Sequence, residues 1–462
     1  MAIQKLYVDL FPDYWRTSGA KIVIVKIRGE AFALHGVSKK VIAHSKDHTI
    51  VFREAINKAD VGDTIVVNGE FEIETVEVNK PVKIVINGII KHKTGLNPLF
   101  RITASGVRFK GGKLDGNAQL VDQSHHSLYN CAFHIRGSET NMIDNIVIEG
   151  VEITNFEGHT IIVEYAKNVS IVNCHIHDTG KQNYGMDGVA IHYGNNIRIT
   201  NTVFENIRSP DNYGGGVEIL ASTDFPNKVE DVVIEKCYFN NIGEFAVGIS
   251  FLTNTPYEDY PKGVRIVNNT IINSKFGIYI RAGREIYIGY NRIVKTDEEG
   301  IMIREWVRSF TVESNFIKAG KKGIYVVGIK DNISGDEEER GIIVGNEIFK
   351  CAEEGIRVEY IERVKVIGNV VNNNKIGIHL YGWQYYTDVQ NNIVQKNSVD
   401  GIKVENVGYS IITGNIIVDN GGYGINVLSH HNLIIKNNVV RNNSSGSITG
   451  TDTTDIVRDN KT

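Results

Sequence analysis

One short segment recurs along the second half of the chain, and it restricts the possible fold more than any other feature. It has an apolar residue, an Asn three positions later and a second apolar residue two positions after the Asn. The last four steps between copies are 23 residues each, and the earlier ones range from 22 to 31. The copies begin at Ile266, Ile288, Val312, Ile343, Val366, Val389, Ile412 and Ile435. A repeat of this length predicts one structural unit stacked many times, because a single copy cannot bury its own apolar face.

Each copy leads to a Gly that begins a second short segment, for example at Gly277, Gly300 and Gly401. In these segments (GIYIR, GIMIR, GIKVE) apolar and polar residues alternate, which is the periodicity of a strand with one buried face. Helical periodicity appears only in Thr49–Ala59. We therefore predict an all-β chain folded as a parallel β-solenoid.

The recurring Asn residues form a column with one member in each copy. Asn tolerates a left-handed backbone and bonds neighbouring backbone groups, so Asn residues stacked about 4.8 Å apart would satisfy one sharp turn of every coil. The column accounts for part of a composition with 46 Asn and 46 Gly but only 7 Pro. We predict a structural role for it, and a packing role for Cys174 and Cys237 in the same slot. The column is Asn269, Asn291, Asn315, Asn346, Asn369, Asn392, Asn415 and Asn438.

Charge and composition exclude several classes of protein. The 50 basic and 54 acidic residues nearly cancel, so no general field attracts nucleic acid or an anionic membrane, and we expect neither as a partner. No run of 18 apolar residues is present, and the first residues lack the pattern of a secretory signal. Four Cys are too few and too far apart for a disulfide scaffold, although one structural disulfide would be compatible with them.

The repeat resembles the right-handed parallel β-helix family of pectate lyases, polygalacturonases and phage tailspikes over residues 47–462. Two further segments carry the resemblance: His48–Ile73, which is similar to the amphipathic helix and first coil of that family, and GGKLDGN at 111–117. It implies a single right-handed parallel β-helix of about 12 to 13 coils, with three strands in each coil and a capping helix at 49–59. Residues 1–46 match no family and have no assigned role.

Strand alternation predicts a candidate site on one face of the solenoid. If Phe133, Ile161 and Val189 point inward, two columns of outward residues follow, and long insertions before these strands would wall the face. Four residues from three successive coils should then lie within roughly 5 to 10 Å of one another. They are Glu164, Asp187, His192 and Glu218, our candidate catalytic residues.

Three kinds of chemistry are open to this group. Paired carboxylates divide into acid and base in glycoside hydrolysis. A carboxylate, a His and an Arg could instead neutralise a uronate and abstract its C5 proton. Asp187 and Glu218 could also hold Ca²⁺, and no cofactor is required. Outward charges on a strand face also stabilise a solenoid by pairing between coils. Arg357, His379 and Lys403 have no comparable insertions beside them, and we interpret them as part of a solvated face.

Resemblance to individual families adds roles for single residues. Met186–Gly188 lies where polygalacturonases carry Asn-Thr-Asp-Gly, so Asp187 corresponds to a catalytic carboxylate, and Arg281 resembles the substrate-binding Arg. Gly214–Gly216 stands where those enzymes have an Asp pair, which argues against their standard inverting mechanism. Tyr184–Asp187 resembles the Tyr-Gly-Phe-Asp piece of alginate C5-epimerases. The candidate substrate-binding residues are Arg281, His134, Arg136, Tyr184, Tyr213, Tyr279 and Arg304.

These features favour a carbohydrate-active enzyme that binds and depolymerises an extended polysaccharide, as a glycoside hydrolase or a polysaccharide lyase. Asp187 and Glu218 would act as acid and base, with His192 and Glu164 assisting. Two alternatives stay open: a uronan C5-epimerase, and a non-catalytic virion spike or adhesin. We expect a monomer or a homotrimer, located outside the cell or on a virion although no signal peptide is visible.

Overall fold

The computed structural model describes residues 19–462 except 122–126, 181–185, 223–228, 252–254, 256–258, 319 and 329–339, and of Trp383 it describes only the backbone. The chain divides into two compact units, Met1–Glu218 and Ile219–Thr462. The described residues contain one α-helix, His48–Lys58, and otherwise almost only strands. The all-β prediction is therefore confirmed.

The first unit builds its coils from three ladders of parallel strands. Phe133 pairs with Ile161 and Ile161 with Val189 in one ladder. Corresponding ladders run through Ile148, Ile171 and Ile199, and through Ile153, Ile176 and Phe204. Its strands are Ile22–Ile27, Glu30–His35, Val41–Ser45, Thr64–Ile73, Val76–Val78, Lys83–His92, Phe100–Ile102, Arg108–Lys110, Lys113–Asp115, Phe133–Arg136, Ile143–Glu149, Glu152–Thr154, Ile161–Glu164, Ala166–Val172, His175–Thr179, Val189–Ile191, Gly194–Thr200 and Val203–Ile207, and Val217–Ala221 contains the boundary.

The helix follows the first three strands and packs with its apolar side inward. The Asp47 side chain accepts the Thr49 N–H at 3.1 Å and so caps the first turn, as Asp commonly does. Phe52 is buried, and its ring centroid lies 5.3 Å from that of Phe71 in the first coil. The three strands between residues 22 and 45, in the segment without a family resemblance, are antiparallel to one another, and the first pairs in parallel with the strand Thr64–Ile73.

The second unit repeats the same three-ladder coil with greater regularity. Ile378, Ile402 and Ile425 stack in one ladder at intervals of 24 and 23 residues, and the other two ladders repeat there every 23 residues. Its strands are Val229–Glu235, Tyr238–Phe251, Arg265–Val267, Thr270–Gly289, Arg292–Thr296, Ile301–Glu313, Phe316–Lys318, Ile324–Val327, Gly341–Val344, Glu347–Phe349, Glu354–Glu359, Val364–Ile367, Val370–Asn372, Ile376–Tyr385, Asp388–Gln390, Ile393–Gln395, Ile402–Gly408, Ile411–Thr413, Ile416–Val418, Tyr423–His431, Ile434–Lys436, Val439–Arg441, Gly446–Thr449 and Ile456–Arg458.

The predicted Asn column is a continuous hydrogen-bond ladder in the second unit. Asn392 is typical: its Nδ2 donates to the Val366 carbonyl at 2.9 Å and to Asn415 Oδ1 at 3.0 Å. Its own Oδ1 accepts the backbone N–H of Asn369 at 2.9 Å. Cys237 occupies the same slot, with its N–H donating to Asn269 Oδ1. The sequence analysis missed a second ladder, which consists of Asn374, Asn397, Asn420 and Asn443.

All four cysteines are buried free thiols, so the chain contains no disulfide between them. The thiolate is the reactive form, and burial raises the pKa of Cys174 to about 11 and that of Cys131 further. We therefore expect a thiol reagent such as DTNB to modify none of the four within minutes in the native protein, and all four after denaturation. Rapid labelling before denaturation would contradict this arrangement.

Candidate functional site

The strand register places the predicted polar residues on one face of the first unit. His134 pairs with Ile162 on the next strand, and Arg136 pairs with Glu164. These side chains alternate with Phe133, Ile161 and Val163, which point into the core. His134, Ile162 and Glu164 are nevertheless buried, although they lie on the outer side of the strands. The face is therefore covered, and its polar groups must find partners within the protein.

Glu164 lies at the centre of this buried polar cluster. Its Oε2 is 2.9 Å from His134 Nε2 and 3.6 Å from Arg136 Nε. Its Oε1 is 3.4 Å from both His192 Nδ1 and the Tyr129 hydroxyl. The side chain of Glu164 is fully buried. One carboxylate thus organises four surrounding side chains.

These contacts fix the charge of Glu164. Burial alone would raise its pKa, but the hydrogen bonds and charges of His134 and His192 outweigh burial and lower the pKa to about 2. An ionised carboxylate only accepts hydrogen bonds, so both imidazoles donate to it. His192 donates from Nδ1, which leaves Nε2 as the ring nitrogen that does not contact Glu164. Glu164 is consequently ionised at neutral pH and accepts hydrogen bonds from both imidazoles.

Tyr129 and Arg136 complete the surroundings of Glu164. The Tyr129 ring lies against His134, with the centroids 4.9 Å apart. Burial and the Glu164 charge raise the pKa of Tyr129, so its hydroxyl keeps its proton and donates. The Arg136 side chain is 49% exposed, whereas the Glu164 carboxylate beside it is wholly buried. The guanidinium is therefore the part of this group that an anionic ligand can reach.

Asp187 is held beside His159, one coil from Glu164. Asp187 Oδ1 accepts the Gly215 N–H at 2.7 Å, and His159 Nδ1 accepts the Asp187 backbone N–H at 3.1 Å. Asp187 Oδ2 lies 3.0 Å from the same Nδ1. One nitrogen cannot accept the backbone N–H and also donate to the carboxylate. A proton on Nδ1 would turn the 3.0 Å contact with Oδ2 into a hydrogen bond.

His159 connects the two parts of the cluster. Its ring centroid lies 5.7 Å from that of His192. Burial lowers the pKa of His159, while the negative charges of Glu218 and Glu164 partly oppose that effect. Glu218 is half-buried and acts on His159 through its charge. The four candidate catalytic residues therefore belong to one connected group.

The sequence analysis missed His159 and Tyr129. The register offered a signal for His159: since Ile161 pairs with Val189, position 159 in one coil corresponds to Asp187 in the next. Tyr129 lies in the irregular segment before the strand Phe133–Arg136, where no repeat specifies which side chain turns back onto the face.

The remaining candidate residues fall into three groups. Tyr184 lies outside the described residues, and Tyr213 is 53% exposed. Arg281, Tyr279 and Arg304 belong to the second unit. There Arg281 Nε is 2.7 Å from Glu305 Oε2, and Arg304 Nη2 is 2.7 Å from Glu305 Oε1. Calcium binding at Asp187 and Glu218 stays a prediction.

The second unit contains a further buried polar cluster, where we expected a solvated face. His379 and Glu354 are buried, with His379 Nδ1 3.1 Å from Glu354 Oε1. Arg357 donates to both Glu354 and Glu359, each at 2.9 Å. That expectation was wrong for Arg357 and His379, because neighbouring coils place opposite charges close enough to form a network. Lys403 is also paired, with Glu405 at 3.0 Å.

Glu354 makes the stability of the second unit dependent on pH. Burial would raise its pKa, but the His379 hydrogen bond and the Arg357 charge outweigh burial and lower the pKa from 4.5 to about 2. The stabilisation is therefore present above about pH 4.5 and is lost as the pH falls towards 2. We expect Glu354→Gln to cost about 3 kcal/mol of unfolding free energy at pH 7, and less as the pH falls from 4.5 to 2.

Urea midpoints at several pH values measure this effect. Glu353→Gln is the matched control, because the Glu353 side chain is 44% exposed where it pairs with Lys322, whereas Glu354 is buried. The control should cost less than about 1 kcal/mol at any pH. A Glu354→Gln deficit that stays constant from pH 7 to pH 2 would refute the proposed linkage.

Comparison with known proteins identifies the fold family. The family model described as "Right handed beta helix region" matches residues 87–257, 211–334 and 329–462. No curated protein sequence gives a significant match. The described part of the chain contains no helix long and apolar enough to span a membrane.

Several solved structures have a similar fold at low identity. The mannuronan C-5 epimerase AlgE6 A-module of Azotobacter vinelandii has 15% identity and a TM-score of 0.43, covering 89% of this chain and 95% of that one. PfbA, a surface adhesin of Streptococcus pneumoniae, has 13% identity and a TM-score of 0.45, with coverages of 83% and 90%. Pre-mature gene product 12 of bacteriophage phi29 has 11% identity and a TM-score of 0.56, with coverages of 85% and 64%. By the match of its repeats, the chain belongs to the family of right-handed β-helix proteins.

Proposed function

We propose that the protein is a carbohydrate-active enzyme that acts on an extended polysaccharide of uronic acids and removes the proton from C5 of a sugar ring. The observation that carries the proposal is the Glu164–His192 pair. A buried, ionised carboxylate that accepts from Nδ1 fixes the imidazole and leaves Nε2 as a base. The same arrangement activates His as a general base in many enzymes.

Uronic acids suit this group because their C5 hydrogen lies next to a carboxylate. Its removal gives an enolate-like species, and a nearby cation stabilises the additional negative charge. Arg136 supplies that cation, since its guanidinium is half-exposed beside Glu164. The low dielectric of a buried cluster strengthens each of these interactions.

Each residue then has a distinct role. His192 takes the C5 proton once the bound polymer uncovers its Nε2, which is buried in the free protein, and Glu164 orients the ring. Asp187 and His159 form a second proton-handling pair, which returns a proton to the ring in epimerisation or to the leaving oxygen in elimination. Glu218 contributes negative charge that favours a protonated His159. The resemblance of Tyr184–Asp187 to an epimerase segment supports the same assignment.

Glycoside hydrolysis fits the cluster less well. It requires one carboxyl group that stays protonated until it donates to the leaving oxygen. The pKa of Glu164 is about 2, so this carboxyl group is ionised at neutral pH and cannot donate the proton. The Asp pair of the polygalacturonases is also replaced by Gly214–Gly216.

The experiment tests wild-type protein and variants on polymannuronate, polyguluronate and polygalacturonate. Absorbance near 235 nm detects elimination, proton NMR detects epimerisation, and reducing-end release without new absorbance detects hydrolysis. His192→Gln should reduce turnover by about 100- to 10,000-fold, the usual contribution of a general base. Gln keeps an amide donor for Glu164, so the fold should survive.

His175→Gln is the matched control. His175 also contacts a carboxylate, Glu205, at 3.1 Å, but its side chain is 43% exposed and it is no part of the cluster. This variant should retain wild-type turnover. Normal turnover in His192→Gln would overturn the proposal. Tight binding of a polymer without any product would instead select the spike or adhesin alternative.

Location and assembly remain predictions that accompany this function. We expect the protein to act outside the cell, either free or as part of a virion. Analytical ultracentrifugation would decide between a monomer and a homotrimer.

A further inference from the structure

Three side chains near the last strands of the second unit converge on one point. Among the described residues, His430, Asp452 and Asp455 bring one ligand atom each to within 4.8 Å of one another. His430 Nε2 lies 2.8 Å from Asp455 Oδ2 and 3.4 Å from Asp452 Oδ2. None of these residues belongs to the candidate site in the first unit.

The environment of His430 indicates more than an ion pair. Its side chain is only 6% exposed, and its Nε2 faces two carboxylate oxygens without a well-aligned hydrogen bond to either, despite the short distances. A buried polar group without a hydrogen bond is costly, and its persistence calls for an explanation. A cation bound between Nε2 and the two carboxylate oxygens explains this arrangement, because ligand atoms of one metal ion lie close together without hydrogen bonds between them.

The separations agree with shared coordination. With Zn–N and Zn–O bonds of about 2.0 to 2.2 Å in a tetrahedron, two ligand atoms lie roughly 3.3 to 3.5 Å apart. The 3.4 Å between His430 Nε2 and Asp452 Oδ2 matches this spacing. The 2.8 Å between His430 Nε2 and Asp455 Oδ2 is shorter, and a small side-chain rotation lengthens it to the same value.

Hydrogen bonds hold the two carboxylates in position. Asp455 Oδ1 accepts the Leu433 N–H at 2.9 Å, and Asp455 Oδ2 accepts the Asp452 N–H at 3.1 Å. Asp452 Oδ1 accepts from the Thr454 backbone and hydroxyl at 2.8 and 2.6 Å. Such outer contacts orient metal ligands in known sites. The Asp455 side chain is fully buried, whereas that of Asp452 is 52% exposed, which leaves one side open to water.

We propose that His430, Asp452 and Asp455 form a binding site for a divalent transition-metal ion, with Zn²⁺ as the best fit. Imidazole with carboxylates is a common ligand set for zinc, whereas Ca²⁺ prefers oxygen ligands alone. His430 belongs to the strand Tyr423–His431, and the two Asp residues precede the strand Ile456–Arg458. The ion therefore fastens one coil to the next, and its role is structural.

The test measures zinc binding by the full chain. Protein stripped with EDTA is given ZnCl₂ and desalted, and zinc per chain is measured by mass spectrometry alongside the melting temperature. Wild type should retain one more zinc per chain than His430→Gln and should melt at a higher temperature with zinc than without it. CaCl₂ should not reproduce the shift.

Two further variants control for loss of folding and for zinc bound by other His residues. Asp452→Asn changes an exposed side chain, should fold normally, and should bind zinc at least tenfold more weakly. His431→Gln alters the adjacent His and should behave as wild type. Equal zinc content in wild type, His430→Gln and Asp452→Asn, including none in all three, would overturn the proposal.

Discussion

Replacing Glu164 with Ala should lower the free energy of unfolding by about 3 to 5 kcal/mol and abolish turnover of the polysaccharide. The carboxylate accepts from His134, His192 and the Tyr129 hydroxyl, and it is fully buried. Without it, His134 and His192 lose their shared acceptor while their own side chains stay buried. Loss of a buried acceptor costs far more than loss of an exposed one.

Urea midpoints and the uronan assay measure the two effects separately. Glu164→Gln preserves volume and one acceptor, so it should be less destabilised than Glu164→Ala but equally inactive, because a neutral amide no longer fixes the base. Glu152→Ala is the control, since Glu152 also pairs with a His and a Lys but is 40% exposed. The control should cost less than about 1 kcal/mol. An unchanged midpoint in Glu164→Ala would show that the cluster does not depend on this carboxylate.

Asn392→Ala should destabilise the second unit by about 3 to 5 kcal/mol, because each of several buried groups loses its hydrogen bond. The Val366 carbonyl and the Asn369 N–H are left without the Asn392 amide, and Asn415 loses a donor. These hydrogen bonds join Asn392 to the coils on both sides, so both neighbouring coils are destabilised as well. Asn392→Asp should be at least as harmful, since its carboxylate would face the Val366 carbonyl and Asn415 Oδ1.

Gln395→Ala provides the comparison for this prediction. Gln395 belongs to the same coil as Asn392 but is half-exposed, so its loss should change the urea midpoint little. Equal midpoints for Asn392→Ala and Gln395→Ala would mean that the ladder follows from the coil geometry and does not stabilise it.

The repeat made much of the fold predictable. A fixed interval between copies specifies which residues stack, so the ladder of Asn369, Asn392 and Asn415 followed from spacing alone. The same logic brought Glu164 and His192 into one group. The sequence could not reveal that this face is buried, because the covering segments are irregular and have no repeat to set their positions. For that reason Tyr129 was missed, and the burial of Glu164 between two His partners was not predicted.

The proposed metal site shows the same limit on what the repeat predicts. Asp452 follows His430 by 22 residues, close to one repeat, so register alone could have suggested that they are neighbours. Asp455 lies three residues further on, and its inward orientation depends on a turn held by the Leu433 N–H. Side-chain direction in such turns is set by local hydrogen bonds that the repeat does not encode.

Release of tritium from C5 is the most direct test of the proposed chemistry. Polymannuronate, polyguluronate and polygalacturonate labelled with tritium at C5 are incubated with wild-type protein, and the radioactivity transferred to water is counted. Elimination and epimerisation both remove this hydrogen, whereas hydrolysis and simple binding leave it in place. The account predicts release from at least one polymer, which falls about 100-fold or more in His192→Gln and persists in His175→Gln. A polymer that is cleaved or bound while all of its C5 tritium stays in the sugar would contradict it.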